Sequence, residues 1–303
     1  GQTYGTGDGS SWTNAFSDLP ESLERGAAYY LASGDYDVTE EPSLWHGFDD
    51  PDEGELFIGI FKATGENHGS DEGWEEAFGQ GGAELGPISI TTSRYVFDGQ
   101  LGSLDSGHGF RVSTRDCDDE HAKVVHFPWD SNSQYIAFRH LELAHCGPQS
   151  FTDPHDVVYG NRPLQHISFR HCYLHDPNRG QIVMIDWNDV LIDHCYFERN
   201  GMQEETHVMA PNGVTNLVVR HSVFRDTNNS FISFRGVENV YFYSNVFLFG
   251  EEEWGSVYSA IESLEDARNV KIFNNTFYNL NGLNTGIRFM QDATGCEVYN
   301  NLW

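Results

Sequence analysis

Ile167-Ser168-Phe169-Arg170-His171-Cys172-Tyr173-Leu174 recurs in outline down the C-terminal two thirds of the chain. Ile136 to Leu143 precedes it; Val190 to Phe197, Leu217 to Phe224, Val240 to Phe247, Val270 to Phe277 and Cys296 to Trp303 follow. Apolar residues hold positions one, three and eight, and a small polar residue usually holds position six. Aligned on position five (His140, His171, His194, His221, Ser244, Asn274, Asn300), the steps are 31, 23, 27, 23, 30 and 26 residues. A β-patterned unit repeating at 20 to 50 residues marks a solenoid whose variable length falls in its turns. Hairpins would not return the same residue to the same face at this period, whereas parallel stacking does so automatically. The Leu-rich signature and helical half of a leucine-rich repeat are absent.

The repeat makes the 303 residues one elongated all-β domain,. Residues 1–86 are expected to be an acidic N-terminal cap with a short helix and long loops, and residues 87–303 the parallel β-helix. The net charge is −29, and lysine stands only at positions 62, 123 and 271. Nucleic acid is therefore excluded as a partner. Such acidity suits a secreted protein or one that binds divalent cations. No apolar run is long enough to insert in a membrane. No signal peptide opens the chain, so Gly1-Gln2 reads as a mature or trimmed end. Five cysteines (117, 146, 172, 195, 296) show no zinc spacing and are too few for a disulfide scaffold,. Cys172 and Cys195 share one repeat position and are expected to stack side by side as free thiols.

Residues 1–86 carry 19 Asp plus Glu against Arg25 and Lys62 alone. Ser17 to Gly26 offers an N-cap, an early proline, first-turn acids and a closing glycine, which predicts the short capping helix. Ala27 to Leu31 and Glu55 to Lys62 predict strands, and Thr64 to Leu85 a long loop. Within that loop Glu66, Asp71 and Glu72 are candidate oxygen ligands for Ca²⁺, although EF-hand spacing is lacking.

From Pro87 onward each coil parses into three short strands. One coil runs Gln181 to Asp186, a corner at Trp187-Asn188, Asp189 to His194, then Cys195 to Glu198, with the next starting at His207. Asn269-Val270-Lys271-Ile272-Phe273-Asn274-Asn275-Thr276-Phe277 resembles the right-handed parallel β-helix (pectin lyase-like) superfamily. So does the opening Gly7-Asp8-Gly9-Ser10-Ser11-Trp12-Thr13-Asn14-Ala15-Phe16 with Tyr29 to Tyr36. The resemblance spans nearly the whole chain and is specific for fold. It implies a secreted or cell-surface protein whose partner is an extracellular polysaccharide, because members include polysaccharide lyases, hydrolases, depolymerases and adhesins. It also implies a site along the first sheet of the coil.

Four columns carry candidate chemistry. Position six (Cys172, Cys195, Ser222, Asn245, Asn275, Asn301) predicts a structural polar ladder. Position five offers four successive imidazoles that stack or share a metal. Position four (Arg139, Arg170, Asp193, Arg220) forms an outward strip. The first corner gathers Trp129, Asp130, Arg162, Asp186, Trp187, Asn188, Asn212 and Arg235, with rings to stack on sugars and planar polar groups to fork onto hydroxyls. There Trp129, Asp130, Trp187, Asn188 and Asn212 are the expected substrate-binding residues, and Asp186, Arg162 and Arg235 the catalytic ones. A lyase would pair Arg162 or Arg235 as base with Asp186. A hydrolase would pair Asp186 with Asp130 or Asp189. Cys296 to Trp303 is a full repeat strand with no cap behind it, as expected either of a chain cut from a longer protein or of one whose cap another subunit supplies. The second case gives the non-catalytic alternative, an adhesive or structural protein that self-associates head to tail into a filament.

Overall fold

Alternation within the repeat turns Ile167 and Phe169 inward and Arg170 to solvent. The next coil keeps Val190 and Ile192 inward, but Asp193, the partner of Arg170, is itself buried rather than part of an outward strip. The computed structural model describes residues 5–20, 22–36, 46–48, 54–102, 107–114, 123–129, 131, 133–145, 156–177, 179–200, 207–227, 229–249, 259–279 and 285–303. The described strands form three parallel sheets of a right-handed β-helix. The first, nine-stranded, runs from His46–Phe48 to Thr285–Phe289 and includes Gly180–Ile185, His207–Asn212, Ser230–Phe234 and Ser259–Ser263. The second, with 11 strands, includes Gln165–Arg170, Asn188–Asp193 and Thr215–Arg220, and the third, with nine, includes Tyr196–Glu198. Equivalent residues pair in register: Ile136 with Ile167, Ile167 with Val190, Val190 with Leu217, and Leu217 with Val240.

The interior is a set of stacked columns. Phe97, Phe138 and Phe169 follow one another at ring spacings of 5.3 and 4.9 Å. Phe197, Phe224, Phe247 and Phe277 do so at 4.7, 4.8 and 4.8 Å. These spacings are the parallel-strand repeat of about 4.8 Å, so each ring gains offset stacking beyond its burial.

Corners are made by residues in the left-handed region. The whole of position five lies there, from His140 (φ 54°) through His171, His194, His221, Ser244 and Asn274 to Asn300 (φ 53°). A second such column opens the strands of the second sheet, with Tyr135, His166, Asp189, Asn216, Asn239 and Asn269. Asn, Asp and His tolerate this conformation far better than β-branched residues, which explains why these columns are polar. Position six carries the expected ladder. Asn245 Nδ2 donates to Asn275 Oδ1 at 3.1 Å, Asn275 Nδ2 to Asn301 Oδ1 at 3.0 Å, and both amides also donate to backbone carbonyls.

Two expectations change in the N-terminal region. The predicted helix over Ser17 to Gly26 is absent, because its described residues form turns and irregular chain. So short a segment gains little from helix propagation; here Leu23 instead plugs the core at 3% exposure and Leu19 packs beside it. The only helical turns among the described residues are 3₁₀, at Trp12–Asn14 and Glu76–Gly79. Secondly, Ala28–Leu31, Gly34–Asp35 and Ile58–Lys62 already pair into the second and third sheets, so the coil pattern begins within the segment expected to be cap. Cys172, Cys195 and Cys296 are free thiols. Cys172 and Cys195 donate to backbone carbonyls, and burial raises the Cys195 thiol well above its ordinary value. Cys117 and Cys146 lie outside the described residues. No helix among the described residues is long and apolar enough to cross a membrane. Exposed Tyr278, Met290, Val298, Tyr299, Leu302 and Trp303 collect on the last coils.

Candidate functional site

Outward positions on five successive strands of the first sheet, from Gly180–Ile185 to Thr285–Phe289, line an open groove of about 480 Å³. Strand pairing stacks Val183 on Ala210, Ser233 on Glu262, and Glu262 on Arg288 along its floor. Isolated pairing of Asn212 with Arg235 forms one edge. Arg179, His207 and Asn229 complete the polar lining, with Pro211 and Leu264 as apolar surface. Four strand steps of about 4.8 Å give a length of about 19 Å, room for an oligomer rather than a single small molecule.

Buried carboxylates position two of the three arginines. Asp156 is fully buried and receives Arg179 in a bidentate contact, Nε at 2.9 Å from Oδ1 and Nη2 on Oδ2, with Lys123 Nζ at 3.9 Å. Burial lowers the Arg179 affinity for its proton, but Asp156 outweighs burial and raises it, so the cation persists. Glu262 is 4% exposed and takes Ser230 Oγ at 2.9 Å, Ser259 Oγ at 3.1 Å and Arg288 Nη2 at 2.7 Å. The Arg288 Nε is enclosed and finds no partner among the described residues. Arg235 is exposed and makes no side-chain hydrogen bond or ion pair with a described residue. Three guanidinium groups thus face one groove of a chain whose net charge is −29.

Of the residues expected from sequence, Arg235 and Asn212 lie in this groove. Asp186 is an exposed left-handed corner residue beside it (φ 59°), its N–H donating to Asn212 O at 2.8 Å. A Cβ on Gly213 would meet Asp186 Oδ1 at 2.1 Å, so glycine there both supplies φ 66° and admits the carboxylate. Arg162 is three coils from Arg235, about 14 Å by strand spacing, and lies over the exposed ring of Trp129 at 5.3 Å. Trp129 is 70% exposed but sits two strands beyond the groove's end.

Trp187 requires a correction. It is fully buried, donates Nε1–H to Gly160 O at 3.0 Å and packs edge-on against Phe127, so it offers no face to a sugar. Asn188 is occupied in an outer ladder, its Oδ1 accepting from Thr215 Oγ1 at 2.7 Å and Asn216 Nδ2 at 2.9 Å. Asp189, the alternative hydrolase partner, is paired with His166. Asp130 lies outside the described residues. Glu66, Asp71 and Glu72 are not gathered into one ligand set; Asp71 Oδ1 instead meets His68 Nε2 at 2.9 Å, and the His68 ring stacks on Trp74. Sequence reasoning missed Arg179, Glu262 and Arg288. Glu262 and Arg288 occupy equivalent positions on neighbouring first-sheet strands, a signal available only once that sheet's register is known.

The family model described as a right-handed beta helix region matches residues 149–302. Solved structures similar to this chain include a pectin methylesterase from Aspergillus niger, 10% identical, covering 93% of this chain and 83% of its own, with a TM-score of 0.48. An alginate lyase from Paenibacillus sp. is 11% identical, covering 90% and 91%, with a TM-score of 0.46. A surface adhesin of Streptococcus pneumoniae is 10% identical, covering 94% and 80%, with a TM-score of 0.40. No curated protein matches the chain.

Proposed function

The chain belongs to the right-handed β-helix family, and from that premise we propose that its first-sheet groove binds an extracellular anionic polysaccharide of the uronate type. The observation that carries this reading is the convergence of Arg179, Arg235 and Arg288 on one groove of an acidic chain. Arginine forks match carboxylates in a planar, bidentate way. Asp156 and Glu262 hold two of those forks in place, which lowers the ordering cost when a ligand arrives. Arg235 is the free fork, and Asn212 and Asn229 supply donors and acceptors for hydroxyls. Secretion is part of this proposal, because such polymers lie outside the cell.

The same geometry ranks the chemistries. A glycoside hydrolase needs two carboxyl groups that reach the scissile bond. Glu262 is held by two serines and an arginine, and Asp156 is sealed beneath Arg179. Proton abstraction suits the groove better, with Arg179 and Arg288 holding the carboxylate, Arg235 then in the abstracting role in place of a binding one, and Asp186 at its edge. Binding without turnover is the adhesive form of the same reading.

Titration of oligouronates against the full chain tests the proposal, with a neutral glucan of equal length as control. Saturable binding of the uronate alone, weakened at least tenfold in Arg235→Ala, is expected. Equal binding of the neutral glucan, or no loss in Arg235→Ala, overturns it. Absorbance of an unsaturated product in the same mixtures separates a lyase from a binding protein.

A further inference from the structure

The left-handed corner after the second sheet stacks four imidazoles in consecutive coils. His140 and His171 lie 5.0 Å apart, His171 and His194 4.9 Å, and His194 and His221 4.7 Å. Residue four of the repeat precedes each, and in the His194 coil that residue is Asp193, paired in register with Arg170 before it and Arg220 after it. The Asp193 side chain is 8% exposed, whereas those of His194 and His221 are 49% and 41% exposed. Its Oδ1 lies 2.8 Å from His194 Nδ1 and 3.2 Å from His221 Nδ1. Its Oδ2 accepts from Arg220 Nη2 at 2.8 Å.

Two imidazole nitrogens thus converge on one carboxylate oxygen from the same solvent-facing side. In a tetrahedral zinc shell with bonds of about 2.0–2.1 Å, neighbouring ligand atoms stand about 3.4 Å apart. Both Asp193–histidine distances are within about 0.6 Å of that value, and all three ligand atoms lie within 4.8 Å of one another. The backbone already aims them: φ of 54° at His194 and 50° at His221 fixes both rings on one face of adjacent coils. Arg220 holds the far carboxylate oxygen, the outer-shell contact that orients ligating carboxylates. Two imidazoles, one carboxylate and a solvent-facing fourth position suit a first-row ion of the zinc type rather than Ca²⁺. The groove residues are not involved, so this site is independent of polysaccharide binding.

We propose that Asp193, His194 and His221 form a zinc-type divalent metal site that ties two adjacent coils together and leaves one coordination position open to solvent. Binding of ZnCl₂ to the full chain, first stripped with chelator, is measured by isothermal titration calorimetry. One saturable site is expected, with zinc raising the melting temperature as binding to the native state requires. His194→Asn and His221→Asn keep the left-handed corner, since Asn274 and Asn300 hold it elsewhere in the column. Each is expected to weaken zinc at least tenfold and to abolish the thermal shift. His166→Asn removes an imidazole outside the cluster, keeps the left-handed corner that Asn216 holds elsewhere in its column, and should leave both readouts unchanged. Absence of saturable zinc binding in the folded wild type overturns the proposal. So does wild-type affinity in His221→Asn, or an equal loss in His166→Asn.

Discussion

Trp187 and Gly160 show how one residue settles the use of another. The indole enters the coil only because Gly160, one coil earlier, has no side chain; a Cβ there would meet Trp187 Cζ2 at 2.6 Å. Gly160→Ala is therefore expected to cost about 1–3 kcal/mol by overpacking, seen as a lower midpoint in thermal or urea melts. An unchanged midpoint would show that the indole can move aside freely. A second residue-scale prediction concerns His175, whose ring nitrogens meet Asp176 at 2.6 Å and Glu142 at 3.2 Å. Burial pushes its proton affinity down, but the two carboxylates outweigh burial and raise it above the ordinary value. The contribution of His175 to stability is then fully present below about pH 6.5 and disappears as pH rises through its raised folded value. Asp176 and Glu142 are shifted downwards, so their share persists above their ordinary values and is lost only on acidification. The stability gap between wild type and His175→Gln should narrow from pH 6 to pH 9 in denaturant titrations; a constant gap would disprove the linkage.

Among the elements, the position-six ladder is the clearest case of local sequence becoming long-range structure. Asn245 Oδ1 accepts from Ser222 N at 3.0 Å, and its Nδ2 reaches Val219 O and Asn275. Asn245→Ala leaves a buried N–H and a buried carbonyl without partners, at about 1–3 kcal/mol each when unrelieved. The expected outcome is a loss of about 2–4 kcal/mol in urea unfolding with an unchanged circular dichroism spectrum. A loss under 0.5 kcal/mol would mean water replaces the amide. This ladder was legible in the sequence because its residue type recurs at one repeat position. The capping helix was misread because its signals are local, whereas Leu23 answers to core residues beyond its own segment.

Over the whole molecule, charge acts in two opposing ways. A net charge of −29 repels an anionic polymer at long range, while the groove's arginines attract it at contact. Screening shortens the first effect to about 10 Å at 0.1 M salt and weakens buried or partly buried contacts much less. The association rate of an oligouronate should therefore rise between about 10 and 150 mM salt, the reverse of simple steering, when followed by stopped-flow fluorescence. A falling rate would locate attraction at long range and contradict a groove that is basic only locally.

The repeat by itself determined the solenoid, its parallel strands and its amide ladder, because each depends on what recurs at a single position. Stacking converts that recurrence directly into contact about 4.8 Å away. Tertiary structure decided what recurrence cannot carry: that Trp187 points inward, and that Arg179, Arg235 and Arg288 share one groove. Those outcomes depend on loop lengths and first-sheet register, and loops of unequal length place chemically related residues at unrelated sequence intervals.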